Sequence, residues 1–159
     1  MKQRELSLWL KSVIILGAGI CLACCFIFAP ALIHDAIAPD DSFSYIYWPS
    51  LIYLWIASVP FYISLVLTWK ISTEIGKDNS FCEANSRRLK YISRLSLFDA
   101  MFLAIGGVAL IMFDTVISGL LVTLIFITIV FLALSVICAA LSHLTYKAYL
   151  IKQDNDLTI

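Results

Sequence analysis

The stretch ISGLLVTLIFITIVFLALSVICAALSHL, residues 117–144, runs for 28 residues without an Asp, Glu, Lys or Arg. A helix needs about 20 predominantly apolar residues to cross the hydrocarbon of a bilayer, so this segment is long enough to span it. Asp114 precedes it and Lys147 and Lys152 follow it, so its two ends differ in charge. Toward the N-terminus lie three more apolar runs, at about residues 10–30, 49–69 and 92–113. Hydrophobic residues are 62% of the chain and its mean hydropathy is +0.95, a surplus over the roughly 45–50% of soluble domains that no soluble core absorbs.

All the basic residues fall on one side of this pattern. Lys2, Arg4 and Lys11 precede the first run; Lys70, Lys77, Arg87, Arg88, Lys90 and Arg94 lie between the second and third; Lys147 and Lys152 follow the fourth. Short loops rich in Lys and Arg stay inside during insertion, so the chain is expected to cross four times with both termini cytoplasmic. The expected fold is all-α: one integral membrane domain, residues 1–159, built as an antiparallel four-helix transmembrane bundle. The inner segments hold all eleven bases against Glu5, Glu74, Asp78, Glu83, Asp154 and Asp156, so they suit a bilayer with an anionic inner leaflet and not direct nucleic-acid binding. Of the five cysteines none sits in an outer loop, which argues against a disulfide framework.

Local signals refine the spans. Pro30 is expected to close the first, and Gly17 with Cys21 and Gly19 with Ala23 form small-xxx-small pairs for close helix packing. Phe43, Tyr45, Tyr47 and Trp48 suit an aromatic belt at the outer headgroups. Pro60 removes a backbone donor inside the second span and predicts a kink. Ser80-Phe81-Cys82-Glu83 fits an S-x-x-E capping box, so a helix should start near Phe81 and run through the third span as one rod extended into the cytoplasm. On its exposed part Arg87, Lys90 and Arg94 share a face, where lipid headgroups are the simplest ligand, and Glu83 can pair with Arg87. The few residues around Asp114 make the third and fourth helices antiparallel neighbours.

Asp99 is the only acid inside a span, where an ionised carboxylate costs at least about 2.5–3.5 kcal/mol. It should face the bundle interior, with Arg94, Ser142 or His143 as partner. Two readings stay open, a proton- or ligand-sensitive switch and an interhelical hydrogen bond. Cys21-Leu22-Ala23-Cys24 is a C-x-x-C, but Cys21 lies near mid-membrane and no second pair exists to pass electrons on. His34, Asp35, Asp40 and Asp41 have no metal-ligand spacing, and Gly106-Gly107 reads as helix packing. The chain presents no catalytic residue, no metal site and no cofactor motif.

The run Phe81-Cys82-Glu83-Ala84-Asn85-Ser86-Arg87-Arg88-Leu89-Lys90-Tyr91-Ile92, with the ending Asn155-Asp156-Leu157-Thr158-Ile159, resembles the YoaS-like family of small bacterial membrane proteins of unknown function. The resemblance covers the whole architecture. It implies a bacterial plasma-membrane location and, because relatives are often encoded beside a small helix-turn-helix regulator, a membrane protein that holds such a regulator at the inner surface. The matching residues for that role are Asn85, Arg87, Arg88 and Lys90, with Asn155, Asp156, Leu157, Thr158 and Ile159. The expected function is non-enzymatic: binding, tethering or regulating a cytoplasmic partner. Alternatives are a small proton or solute transporter, with Asp99 in the pathway, and protection against a membrane-active peptide through the acidic outer loop. A second copy of the chain is a further candidate partner.

Overall fold

The computed structural model describes residues 3–37, 41–112 and 118–157. Every element among them is helical: α1 (Gln3–Ala23), a π turn (Cys24–Phe28), α2 (Ala29–Ile37), a 3-10 turn (Asp41–Ile46), α3 (Tyr47–Gly76), α4 (Glu83–Met112) and α5 (Ser118–Leu157). Four helical stretches are long and apolar enough to cross a membrane, Arg4–Asp35, Ser44–Gly76, Glu83–Met112 and Leu121–Asn155. The fold is the all-α, four-helix membrane bundle that the hydropathy pattern predicts.

Each crossing helix packs on the next in the chain, antiparallel to it. Ser7 near the start of α1 meets Ser72 near the end of α3, while Trp55 Nε1 donates to the Cys25 carbonyl at 3.3 Å. Arg88 of α4 reaches the Lys70 carbonyl of α3 at 3.5 Å, and the Tyr53 hydroxyl donates to the Phe102 carbonyl. Ser86 and Ser93 of α4 meet Ser142 and Ser135 of α5. Phe61 and Phe131, edge to face at 6.2 Å, bring α5 against α3 as well.

What lies inside follows from lipid being the solvent. Acyl chains are as apolar as Leu, so a helix gains little by hiding Leu; it gains from close approach and hydrogen bonds between small residues. Phe126 and Val136 are accordingly 67% and 69% exposed, while Ser72 and Ser96 are 1% exposed. Three serine pairs lock neighbouring helices, two of them reciprocally through each other's carbonyls. Ser7 Oγ donates to Ser72 O at 2.7 Å and Ser72 Oγ to Ser7 O at 3.0 Å. Ser86 Oγ donates to Ser142 O at 2.9 Å and Ser142 Oγ to Ser86 O at 2.8 Å. Ser135 Oγ donates to Ser93 O at 2.9 Å, with its oxygen 3.3 Å from Ser93 Oγ.

Several local expectations are corrected. Pro30 does not close the first helix, because the π turn just before it carries an Ala29 N–H to Cys24 carbonyl bond and the chain stays helical to Ile37. That widened turn gives the proline ring room against the preceding carbonyls. Gly17 and Gly19 do not make a close approach, since a Cβ on either would meet nothing within 4 Å. The packed stripe of α1 is Ser7 and Ile14, and the tight contact belongs to Gly76 of α3, where a Cβ would fall 2.9 Å from Ser7 Oγ. Pro60, by contrast, lies inside the second span as the sequence places it, within the 30-residue α3, where Ser64 Oγ donates to its carbonyl at 2.9 Å. The capping box at Ser80 does not form: α4 starts at Glu83, the Cys82 carbonyl accepts the first N–H groups, and the Glu83 carboxylate turns to Arg87. The turn around Asp114 lies outside the described residues.

Candidate functional site

The polar features gather at the basic end of the bundle, where α3 hands over to α4. Lys11 Nζ stands over the Trp69 ring, 5.2 Å from its centre, and this pair with Lys70 marks the edge of the apolar zone. Asn79 N–H and Lys77 N–H both return to the Glu74 carbonyl, at 3.0 and 3.1 Å. Asp78, at φ 60°, makes the left-handed step that turns the chain, a conformation Asp tolerates.

Asn85 braces this turn from the first coil of α4. It is 1% exposed, donates through Nδ2 to the Ser80 carbonyl at 3.1 Å, and accepts at Oδ1 from Arg88 Nη1 at 2.9 Å. Arg88 in turn reaches the Lys70 carbonyl. Both residues therefore face α3 and the turn, with Ile92, 5% exposed, one heptad after Asn85. Asn85→Ala leaves the part-buried Ser80 carbonyl and the Arg88 guanidinium short of a partner, a cost of about 1–3 kcal/mol. A lower thermal midpoint and faster proteolysis within residues 77–82 are the expected readouts.

Arg87, Lys90 and Arg94 occupy a different face, as their spacing predicts, and all three are exposed. Together with His143 and Tyr146 of α5 they line an open groove of about 500 Å³, with Ser86, Ser93 and Ser142 along its floor. Arg87 is engaged by Glu83, whose Oε1 lies 2.5 Å from Nη2 and 3.1 Å from Nε. Beyond the groove α5 continues. The pairing of Ser86 with Ser142 sets Glu83, the first residue of α4, level with Thr145, so residues 146–157 of α5 extend past α4 by about 18 Å. On this arm Leu150, Ile151, Lys152, Gln153, Asp154 and Asn155 are exposed. The helix runs through Asn155, Asp156 and Leu157, while Thr158 and Ile159 lie outside the described residues.

Asp99 stands apart from this cluster, on the heptad line of Asn85, Ile92 and Gly106 that faces α3. It is 1% exposed, and neither carboxylate oxygen has a hydrogen-bond partner among the described residues. The expected partners are elsewhere. Ser142 bonds Ser86, thirteen residues from Asp99 and so about 20 Å along the helix, while Arg94 and His143 open into the groove. The register of α4 against α5 is the cause, because the serine pairs place His143 well toward the basic end.

The serine pairs carry no signal in any single residue. What marks two of them in the sequence is the seven-residue spacing of Ser86 with Ser93 and of Ser135 with Ser142, which keeps each of these on one helix face.

Comparison with known proteins bears on these residues. A family model described as protein of unknown function, DUF2975, matches residues 31–159, which hold three of the four crossings, the turn between α3 and α4, the groove and the arm. The chain belongs to the DUF2975 family. This DUF2975 protein is also 27% identical over 158 residues to the uncharacterized membrane protein YoaS of Bacillus subtilis (strain 168), covering 98% of this chain and 99% of the other. No solved structure matches the chain. The resemblance seen in the sequence is thus to the right family, whose description assigns no activity, and the groove, the arm and Asp99 are what this DUF2975 chain itself offers as sites.

Proposed function

We propose that this protein sits in the bacterial cytoplasmic membrane with both ends inside and docks a cytoplasmic regulatory protein on the projecting arm of α5. The observation that carries the reading is the overhang itself. Residues 146–157 extend past α4, and Ile151, 63% exposed, and Leu150, 40% exposed, lie on a part of the helix well beyond the Lys11–Trp69 pair. Insertion needs no such arm, since α5 has 40 residues, about 60 Å, against about 30 Å of hydrocarbon. Apolar side chains on a helix beyond the bilayer are stabilised when a partner covers them. The small helix-turn-helix regulator implied by the family resemblance is the first partner to test.

Two measurements address this. A cysteine-free chain carrying Gln153→Cys should react with a membrane-impermeant maleimide only after the membrane is opened; labelling of intact cells reverses the orientation. Leu150→Asp with Ile151→Asp should reduce recovery of the partner from native membranes at least tenfold, as should removal of Asn155 to Ile159. Unchanged recovery in both variants sinks the docking reading.

Asp99 supports a second reading, movement of a proton or small solute through the bundle. Flux in proteoliposomes that disappears in Asp99→Asn would establish it, and equal flux in both proteins would remove it.

A further inference from the structure

The groove between α4 and α5 has a charge imbalance that the docking arm does not explain. Among the described residues Glu83 is its only carboxylate, and it is already engaged by Arg87. Lys90 and Arg94 form no ion pair among the described residues, and the groups facing them across the groove, His143 and Tyr146, are an imidazole and a phenol, not carboxylates. Arg94 lies six residues farther along α4 than Arg88, about 9 Å nearer the bilayer centre. A guanidinium at that depth must snorkel toward the basic end, which takes it along the groove. Below the groove the same two helix faces become apolar and lipid-facing. Leu97 and Met101 continue the line of Lys90 and Arg94 on α4, and Val136 and Leu132 continue that of His143 on α5, all exposed.

Cations at the mouth and an apolar track beneath them match one chemistry, a phosphate ester with acyl chains. We propose that the groove is a binding site for a single anionic phospholipid in the leaflet on the basic side, its phosphate held by Lys90 and Arg94. His143 and Tyr146 offer a further imidazole and hydroxyl to the headgroup from α5. The arrangement is selective for net negative lipid because a zwitterionic headgroup brings its own cation into a groove that already has two in excess.

The test uses the full-length chain purified in neutral detergent and analysed by native mass spectrometry after incubation with vesicles of phosphatidylcholine alone or mixed with phosphatidylglycerol. One retained phosphatidylglycerol per chain is the expected result. Lys90→Gln with Arg94→Gln should lower its retention roughly thirtyfold, from about 1 kcal/mol for each cation near an anionic surface. Lys147→Gln with Lys152→Gln should leave retention unchanged, and the charge-conserving Lys90→Arg with Arg94→Lys should keep most of it. If the double Gln protein does not fold, the charge-conserving pair and His143→Ala, read on folded material, carry the comparison. Equal retention of phosphatidylcholine, or loss of phosphatidylglycerol to millimolar glycerol phosphate, overturns the proposal, the second outcome reassigning the groove to a soluble phosphate. Because no cytoplasmic partner is present, failure here leaves the docking reading of the arm untouched.

Discussion

Gly106→Leu is expected to abolish assembly of the native bundle, while Gly107→Ala, one residue on, should be neutral or mildly stabilising. A Cβ at Gly106 would fall 2.6 Å from Cζ and the hydroxyl oxygen of Tyr53, whereas a Cβ at Gly107 would meet nothing within 4 Å. The Tyr53 ring cannot retreat cheaply. It stacks on Phe102 with ring centres 4.4 Å apart and planes 9° from parallel, and its hydroxyl donates to the Phe102 carbonyl. Even a methyl at Gly106 forces α3 and α4 apart or breaks the stack, an overpacking penalty of about 1–3 kcal/mol, and a leucine exceeds it. Gly107→Ala instead removes a helix-weakening glycine, worth up to about 1 kcal/mol. Thermal unfolding in micelles measures both, and Gly106→Ala combined with Tyr53→Ala should recover part of the loss because the clash is then gone. A Gly106→Leu protein as stable as the parent would mean that α3 and α4 are not in this register.

Asp99→Val should raise stability, by an amount near the cost of the buried acid it removes. With 1% exposure and no partner for either oxygen among the described residues, the carboxyl lacks the hydrogen bonds that would offset its desolvation. Leaving a polar group buried and unsatisfied costs about 1–3 kcal/mol, and insertion scales place an acid at mid-membrane at about 2.5–3.5 kcal/mol. Valine is close to aspartate in size, so little overpacking opposes the gain. The thermal midpoint should therefore rise, with Asp99→Asn changing it less. A fall in Asp99→Val would reveal a polar partner acting on this carboxyl. A rise joined to loss of partner recovery or of flux would mark Asp99 as a residue kept for function at the expense of stability.

These two predictions depend on interhelical geometry that hydropathy does not report. Four spans, their basic and acidic sides and the antiparallel order were all legible, because crossing a bilayer demands about 20 apolar residues and basic loops resist transfer. The shared face of Arg87, Lys90 and Arg94 was legible too, since helical spacing alone settles it. The faces that meet were not. In water the apolar stripe of a helix marks its core side, but in lipid both sides are apolar and that contrast vanishes. Gly17, Gly19 and Gly107 all read as packing positions and are open, while Gly106, read the same way, and Gly76, which carries no such signal, make the close approaches. The capping box at Ser80 failed for a related reason: Arg87 offers the Glu83 carboxylate a stronger partner than a backbone N–H.

Asn85 shows the division most clearly. As one letter in a polar run it reads as a candidate contact for a partner, beside Arg87, Arg88 and Lys90. Folded, it is an internal brace with Arg88, while Arg87 and Lys90 look outward into the groove. Composition and charge order alone were enough to make this chain a four-span membrane protein with one basic face, because transfer free energy depends on which residues are present and in what order. Which serines interlock, which glycine admits a neighbouring ring, where Asp99 is left without a partner and how far α5 outruns α4 depend on the rotation and register of one helix against another. Those are settled by side-chain contacts a few ångströms long, and only the folded bundle brings the contacting atoms together.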